Sequence, residues 1–282
     1  MTKVNREYKD RLFRLLFGTE EMKGNILQLY NALNGSSYIN ADELELTTIE
    51  DVIYISMKND VSFIFDSYLS VWEQQSTFNP NMPVRGLMYF GKLYDRYIKT
   101  NGINIYSSSL KKIPTPRYIV FFNGAADRPA VENLKLSDAF INEDKSGNSE
   151  WTAIGYNLNK GKNDELLEKC QPLRDYMELI NRIRTFSFDF DIEKAVNMAV
   201  DSCINEGILK EFLEKHKAEV CGMVLTEFDE KAFADDMRAE GRVECQIEDI
   251  KKLMKNLSLS PEKAMDALEI PEAEYDKYKA LL

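Results

Sequence analysis

Asp60-Val61-Ser62-Phe63-Ile64-Phe65-Asp66, a break at Ser67-Tyr68, then Leu69-Ser70-Val71-Trp72-Glu73-Gln74-Gln75 is the stretch that decides the fold. Both arms are rich in β-branched and aromatic residues and are bounded by polar breaks, the pattern of paired strands rather than of helix. A turn centred on Ser67-Tyr68 sets Asp60 opposite Gln75 and Ser62 opposite Glu73. Directly opposed residues share a face, so Asp60, Glu73 and Gln75 are expected to converge on one patch of sheet. Converging carboxylates repel unless a cation lies between them, and a hard divalent ion with oxygen ligands suits that place. The same acids also read as ordinary solubilising residues at strand ends.

Working outward, Val52-Ile53-Tyr54-Ile55-Ser56-Met57 reads as the strand before the hairpin and Tyr118-Ile119-Val120-Phe121-Phe122 as a buried strand after it. Between them, helical spacing places Arg85, Lys92, Arg96 and Lys99 on one side of a helix, with Leu87, Phe90 and Tyr94 on the other. Upstream, an amphipathic stretch from Arg6 to Phe17 ends at Gly18. Thr19 is then placed to cap a second helix, with Glu20-Glu21 in its first turn and Asn34-Gly35 as its stop. The order of helix, helix, antiparallel strands, helix, strand predicts an α/β (α+β) fold, a mixed sheet with helices on its faces.

Beyond Phe122 the texture changes. Residues 123–163 are rich in Asn, Asp, Gly and Lys, with a strand expected at Trp151 to Leu158, and from Asp164 onward the chain reads as charged helix. Leu166, Leu167, Cys170, Leu173, Tyr176, Leu179 and Ile183 recur at helical spacing, as do Ala195, Val196, Met198, Ala199, Ile204 and Leu209. Near the end, Ser260 to Tyr275 reads as two short helices broken at Ile270-Pro271, with the cadence of a helix-turn-helix. Its second helix carries Glu272, Glu274 and Asp276 where base readout needs Arg, Asn or Gln, so it suits protein contact or dimerisation instead.

Composition narrows the chemistry. The chain has 282 residues, 44% of them hydrophobic, enough for one core of ordinary domain size with an appended piece. It has one histidine, His216, and four cysteines, Cys170, Cys203, Cys221 and Cys245, with no CxxC or HxxxH spacing. Zinc sites, Ser-His-Asp hydrolysis and Cys-His nucleophiles are therefore poorly supported. His216 lies in a charged stretch and is expected to be solvated. Scattered cysteines and the lack of an apolar N-terminal stretch of signal or spanning length predict a cytoplasmic protein with no membrane partner.

Longer stretches carry a resemblance. Asn59-Asp60-Val61-Ser62-Phe63, Trp72-Glu73-Gln74-Gln75-Ser76-Thr77 and Asn79-Pro80-Asn81-Met82-Pro83-Val84-Arg85 resemble the core of the Rpn family. These are recombination-promoting nucleases, also grouped with transposases, of the PD-(D/E)XK nuclease superfamily. Flanking matches are Tyr8-Lys9-Asp10-Arg11-Leu12-Phe13, Pro114 to Gly124 and Glu206 to Leu213, so the likeness spans nearly the whole chain. Glu240-Gly241-Arg242-Val243-Glu244 is similar to the charged linker that relatives carry near their C-termini.

The resemblance implies a restriction-endonuclease-like PD-(D/E)XK core over residues 1–162, a helical region over 163–240 and a small helical C-terminal module over 241–282. It implies metal-dependent hydrolysis of DNA phosphodiester bonds in recombination, mobile-element or phage-related processing. Asp60 and Glu73 fall on the metal-binding acids, with the backbone carbonyl of Gln74 as a third ligand to Mg²⁺ or Mn²⁺. Gln75 falls where most members carry the lysine of the ExK element; a neutral amide can only hydrogen-bond, so the metal must carry more of the catalysis. Many relatives have His where this chain has Gln74. Arg85 and Lys92 are phosphate-binding candidates, and Glu21 or Glu20 is a candidate further acid, although compensation of a helix N-terminus explains both residues better.

Charge opposes a nucleic-acid partner on average. The net charge is -11, and affinity for DNA rests on Lys and Arg neutralising phosphates. Locally, Arg85, Lys92, Arg96, Lys99, Lys111, Lys112 and Arg117 follow the hairpin. Cleavage of a duplex by a single-site enzyme suggests a homodimer. The alternative is a catalytically inactive relative that keeps the fold to bind nucleic acid or protein; intact Asp60, Glu73 and Gln75 favour the enzyme.

Overall fold

A tight turn at Asp66 and Ser67, both with positive φ (48° and 63°), folds the decisive stretch back on itself. The computed structural model describes residues 8–47, 61–124, 126–144, 146–222, 250–254, 259–268, 270 and 275. Strands β2 (Val61–Phe65) and β3 (Tyr68–Gln75) pair antiparallel, with Phe65 opposite Tyr68 and Val61 opposite Trp72. The turn thus lies one residue earlier than expected, and Ser62 faces Val71 rather than Glu73. A two-residue hairpin turn that matches strand twist needs two positive-φ residues, and short polar Asp66 and Ser67 tolerate this better than the bulky Tyr68. The expected strand at 52–57 lies outside the described residues.

The sheet has six strands in the order β1-β2-β3-β4-β6-β5. β1 (Glu45–Leu46) pairs antiparallel with β2, whereas β4 (Thr115–Phe122) runs parallel to β3 and β6 (Thr152–Asn157) parallel to β4. β5 (Val131–Lys135) closes the far edge antiparallel to β6. The chain is thus an α/β protein built on a mixed sheet. Sequence reading missed β5, a Val-Glu-Asn-Leu-Lys strand with exposed or half-exposed side chains whose apolar signal is thin.

Helices cover both faces. α1 (Tyr8–Phe17), α2 (Lys23–Asn34), α4 (Asp164–Lys169), α5 (Gln171–Phe186), α6 (Ile192–Asn205) and α7, helical over 210–222, share one core with Phe63, Trp72 and Phe121. α3 (Met82–Thr100) covers the other face, where Met82, Tyr89, Phe90 and Leu93 meet Leu69, Val71, Tyr118 and Val120. The helices that follow residue 163 thus contribute to the same core as α1 and the sheet. The chain divides into two compact units, Met1–Val224 and Leu225–Leu282. In the second, α8 (Pro261–Ala267) starts at Ser260, whose hydroxyl accepts from the Lys263 amide, and Ala264 and Met265 pack with Ile250 and Ile270. The expected second helix of that module, past Pro271, lies almost wholly outside the described residues.

Three local expectations need correction. Thr19 makes no side-chain cap; residues 20–22 form a short 3-10 turn before α2. Leu87 is 48% exposed, because the buried stripe of α3 runs through Met82, Gly86, Tyr89, Phe90 and Leu93. His216 is not fully solvated: its ring stacks on Phe212 at 4.9 Å, with Nδ1 3.1 Å from Glu219 Oε2. Among the described residues no helix is long and apolar enough to cross a membrane.

Candidate active site

Residues two apart on a strand share a face, so β3 delivers Glu73 and Gln75 together to the side covered by α3. Glu73 is only 5% exposed. Its Oε1 lies 2.9 Å from Arg85 Nη2 and accepts from Gln75 Nε2 at 3.1 Å. Its Oε2 accepts from the Tyr118 hydroxyl at 2.6 Å. Burying a carboxylate is tolerable only with such compensation, and here one cation and two neutral donors supply it.

The route from β3 to α3 is what returns Arg85 to Glu73. Asn79 Oδ1 accepts from the Asn81 amide at 2.9 Å, tightening the turn. Pro83 sits in the first turn of α3, where its missing N–H costs nothing, and the Arg85 amide bonds the Asn81 carbonyl at 3.1 Å. Arg85 therefore emerges one turn into the helix, against the sheet. Met82 anchors the corner: its Sδ lies 2.8 Å from Gln75 Nε2 and 3.7 Å from Arg85 Nη1. The buried Nε of Arg85 has no partner among the described residues.

Gln74 points to the opposite face, 2% exposed, and neither of its amide heteroatoms has a partner among the described residues. Its backbone is oriented differently. The Gln75 carbonyl accepts from Asn123 N at 3.1 Å on the β4 side, and consecutive carbonyls of a strand point to opposite edges. The Gln74 carbonyl therefore points to the β2 side.

The α1 side of the same strand ends holds a second polar group that sequence reading did not anticipate. Lys9 is buried, with Nζ 3.4 Å from Asn123 Oδ1; the Asn123 amide reaches the Tyr176 hydroxyl at 3.4 Å, which donates to the Lys9 carbonyl at 3.1 Å. Arg184 donates to the Asn123 carbonyl. Burial raises the Tyr176 hydroxyl well above its ordinary pKa, so it stays a neutral donor.

Of the residues singled out from sequence, the structure brings Glu73, Gln75 and Arg85 into contact. Asp60 lies outside the described residues; in the chain it immediately precedes Val61, the partner of Trp72. Lys92 is exposed two turns along α3 from Arg85. Glu21 is not brought to this cluster: it is exposed and pairs with Lys215, which lowers its pKa. Glu20 pairs with Lys23 at 2.7 Å. Tyr118 was missed. Only strand register exposes it, because Tyr118 pairs with Val71 and its side chain leans two residues along β3 to Glu73.

The donors here are hard oxygens: the Glu73 carboxylate, the Gln75 amide oxygen and the Gln74 carbonyl. They fit Mg²⁺ or Mn²⁺ in chemistry, and the buried thiols of Cys170, just before α5, and Cys203, on α6, lie in the opposite core. Among the described residues no three His, Cys, Asp or Glu side chains are grouped to hold a metal ion. Comparison with protein-family models, curated proteins and solved structures finds no match to this chain.

Proposed function

We propose that this chain is a metal-dependent endonuclease of the PD-(D/E)XK kind, hydrolysing phosphodiester bonds of DNA. The observation that carries the reading is the Glu73-Gln75-Arg85 cluster, an acid, an amide and a guanidinium held together at the carboxyl end of β3. The order of elements agrees, with antiparallel β2 and β3, a crossover through α3, and β4 parallel to β3. Glu73, Asp60 and the Gln74 carbonyl would hold Mg²⁺ or Mn²⁺. When bound, that ion supplies an activated water and polarises the phosphate. Gln75 donates a hydrogen bond to hold the water or a phosphate oxygen, and Arg85 offers a planar fork to a nonbridging pair of oxygens. Tyr118 keeps the Glu73 carboxylate from rotating. The exposed Lys92, Lys111 and Lys112 are available to contact backbone phosphates at a distance.

One observation favours a non-catalytic binding protein instead: Glu73 already has three donors, including a cation. Purified protein incubated with supercoiled plasmid in Mg²⁺, Mn²⁺ or EDTA, beside Glu73→Ala, separates the two. Metal-dependent nicking that vanishes in the variant is expected; equal, background-level nicking in both proteins in every metal would overturn the endonuclease reading in favour of a binding or regulatory relative.

A further inference from the structure

We propose that Arg85 is a two-position latch, resting on Glu73 in the free protein and moving to a phosphodiester when nucleic acid binds. Metal and phosphate would then bind with positive coupling. The inference rests on the endonuclease reading and adds to it how the site is kept closed.

Three features support it. First, the rest position competes with a cation. Arg85 Nη2 and Gln75 Nε2 both occupy Glu73 Oε1, and Tyr118 takes Oε2, so the carboxylate that must hold a metal is already neutralised and hydrogen-bonded. A divalent ion brought there would meet the guanidinium at 2.9 Å from the same oxygen, a repulsion that opposes entry.

Second, the pair is one that can part. Arg85 meets Glu73 through one nitrogen only, not through the two-pronged geometry that makes arginine-carboxylate pairs strong. Its Nη1 reaches only a thioether, a weak acceptor, and its Nε is buried without a partner among the described residues. Two of the three nitrogens of the fork are therefore poorly used at rest. A phosphate can satisfy two of them at once.

Third, the residue has somewhere to go. The Arg85 side chain is 21% accessible whereas that of Glu73 is 7%, so the arginine is the more open member of the pair and the carboxylate the more enclosed. Exchange of Glu73 for a phosphate would leave the carboxylate with its neutral donors, Gln75 and Tyr118, and a single negative charge to offer. Phosphate binding thus creates the metal ligand, and by linkage the metal favours the phosphate-bound arrangement.

The test is Mn²⁺ affinity, read from the electron paramagnetic resonance signal of the free ion, in wild type, Arg85→Gln and Glu73→Gln, with folding checked by circular dichroism. Arg85→Gln is expected to bind Mn²⁺ about tenfold more tightly than wild type, an ordinary size for coupling between two sites, and Glu73→Gln to lose that binding. In parallel, affinity for a labelled DNA duplex is measured by fluorescence anisotropy with and without Ca²⁺ at constant ionic strength. Ca²⁺ should tighten wild-type binding several-fold and leave Arg85→Gln unchanged. Equal or weaker Mn²⁺ binding by Arg85→Gln overturns the latch while leaving the endonuclease reading intact. Absence of any Glu73-dependent Mn²⁺ binding overturns both.

Discussion

Gly86 lies directly under the ring of Tyr118: a β-carbon on Gly86 would sit 2.5 Å from two of the ring carbons and 2.9 Å from Trp151 Nε1. A glycine in the second turn of a helix costs about 1 kcal/mol relative to alanine, so propensity alone favours replacing it. Here close approach decides otherwise. α3 can bring Arg85 down to Glu73 only because the next residue has no side chain to hold the helix off β4. Gly86→Ala is therefore expected to destabilise unit 1 by about 1–3 kcal/mol, the usual cost of overpacking, despite the better helix former. Urea unfolding of the two proteins checks the sign: a more stable variant would mean that α3 shifts freely.

Tyr118→Phe removes one hydroxyl and leaves the ring packing of Phe90 and Trp151 in place. The Glu73 Oε2 acceptor is then buried without its 2.6 Å donor. A loss of about 1–3 kcal/mol is expected, more than for a surface hydroxyl, because the remaining partner keeps its desolvation penalty. On the endonuclease reading the same change lowers turnover, since a carboxylate free to rotate is a poorer ligand. Thermal melts and plasmid nicking, measured on one preparation, test both parts.

What the sequence conveyed of this architecture follows from how each element carries its signal. β3 and β4 are buried on both faces, so their runs Leu69 to Trp72 and Tyr118 to Phe122 are unmistakable. β5, at the edge, has only two apolar residues, Val131 and Leu134, which do not alternate with its polar ones, and looks like loop. Glu73, Gln75 and Arg85 were legible because a strand's period of two and a short crossover tie them together within thirteen positions of chain, Glu73 to Arg85 inclusive. Tyr118 and the Lys9-Asn123-Tyr176 group were not legible. They depend on parallel register and on helix placement across more than a hundred residues, which local pattern does not encode.

The cysteines carry a pH dependence whose sign can be worked out. Burial pushes the thiols of Cys170 and Cys203 up to about 11. The folded state therefore holds these protons more tightly than the unfolded chain, whose thiols titrate near the ordinary value of about 8.5. Their contribution to stability is complete below that ordinary value and is lost as pH rises toward 11. The urea midpoint should fall across this window, and less steeply in Cys170→Ala measured against its own value at pH 7. At pH 8 both residues should resist iodoacetamide until the protein is unfolded, as peptide mapping would show; rapid native labelling of either would contradict their burial.

The hairpin turn offers the last prediction. Ser67 adopts φ 63°, a left-handed conformation that costs a non-glycine residue about 1 kcal/mol or more. Its carbonyl accepts from the Thr115 amide at 2.8 Å, which ties the turn to the start of β4, and its side chain has no role in that bond. Ser67→Gly keeps the backbone contact and removes the steric cost, but it also loosens the unfolded chain, so the net gain should be near 0.5 kcal/mol. Ser67→Val should cost more than that gain, because a β-branched side chain is least tolerant of positive φ. Both changes leave Asp66 free to accept from Tyr38 at 2.8 Å, so the difference between them reports the turn alone. A turn at Ser67-Tyr68 would leave Ser67 at positive φ and put Tyr68 there in place of Asp66, so Tyr68→Gly would then be stabilising; with the turn at Asp66-Ser67 it is expected to destabilise β3 instead, and urea midpoints of the variants show which holds.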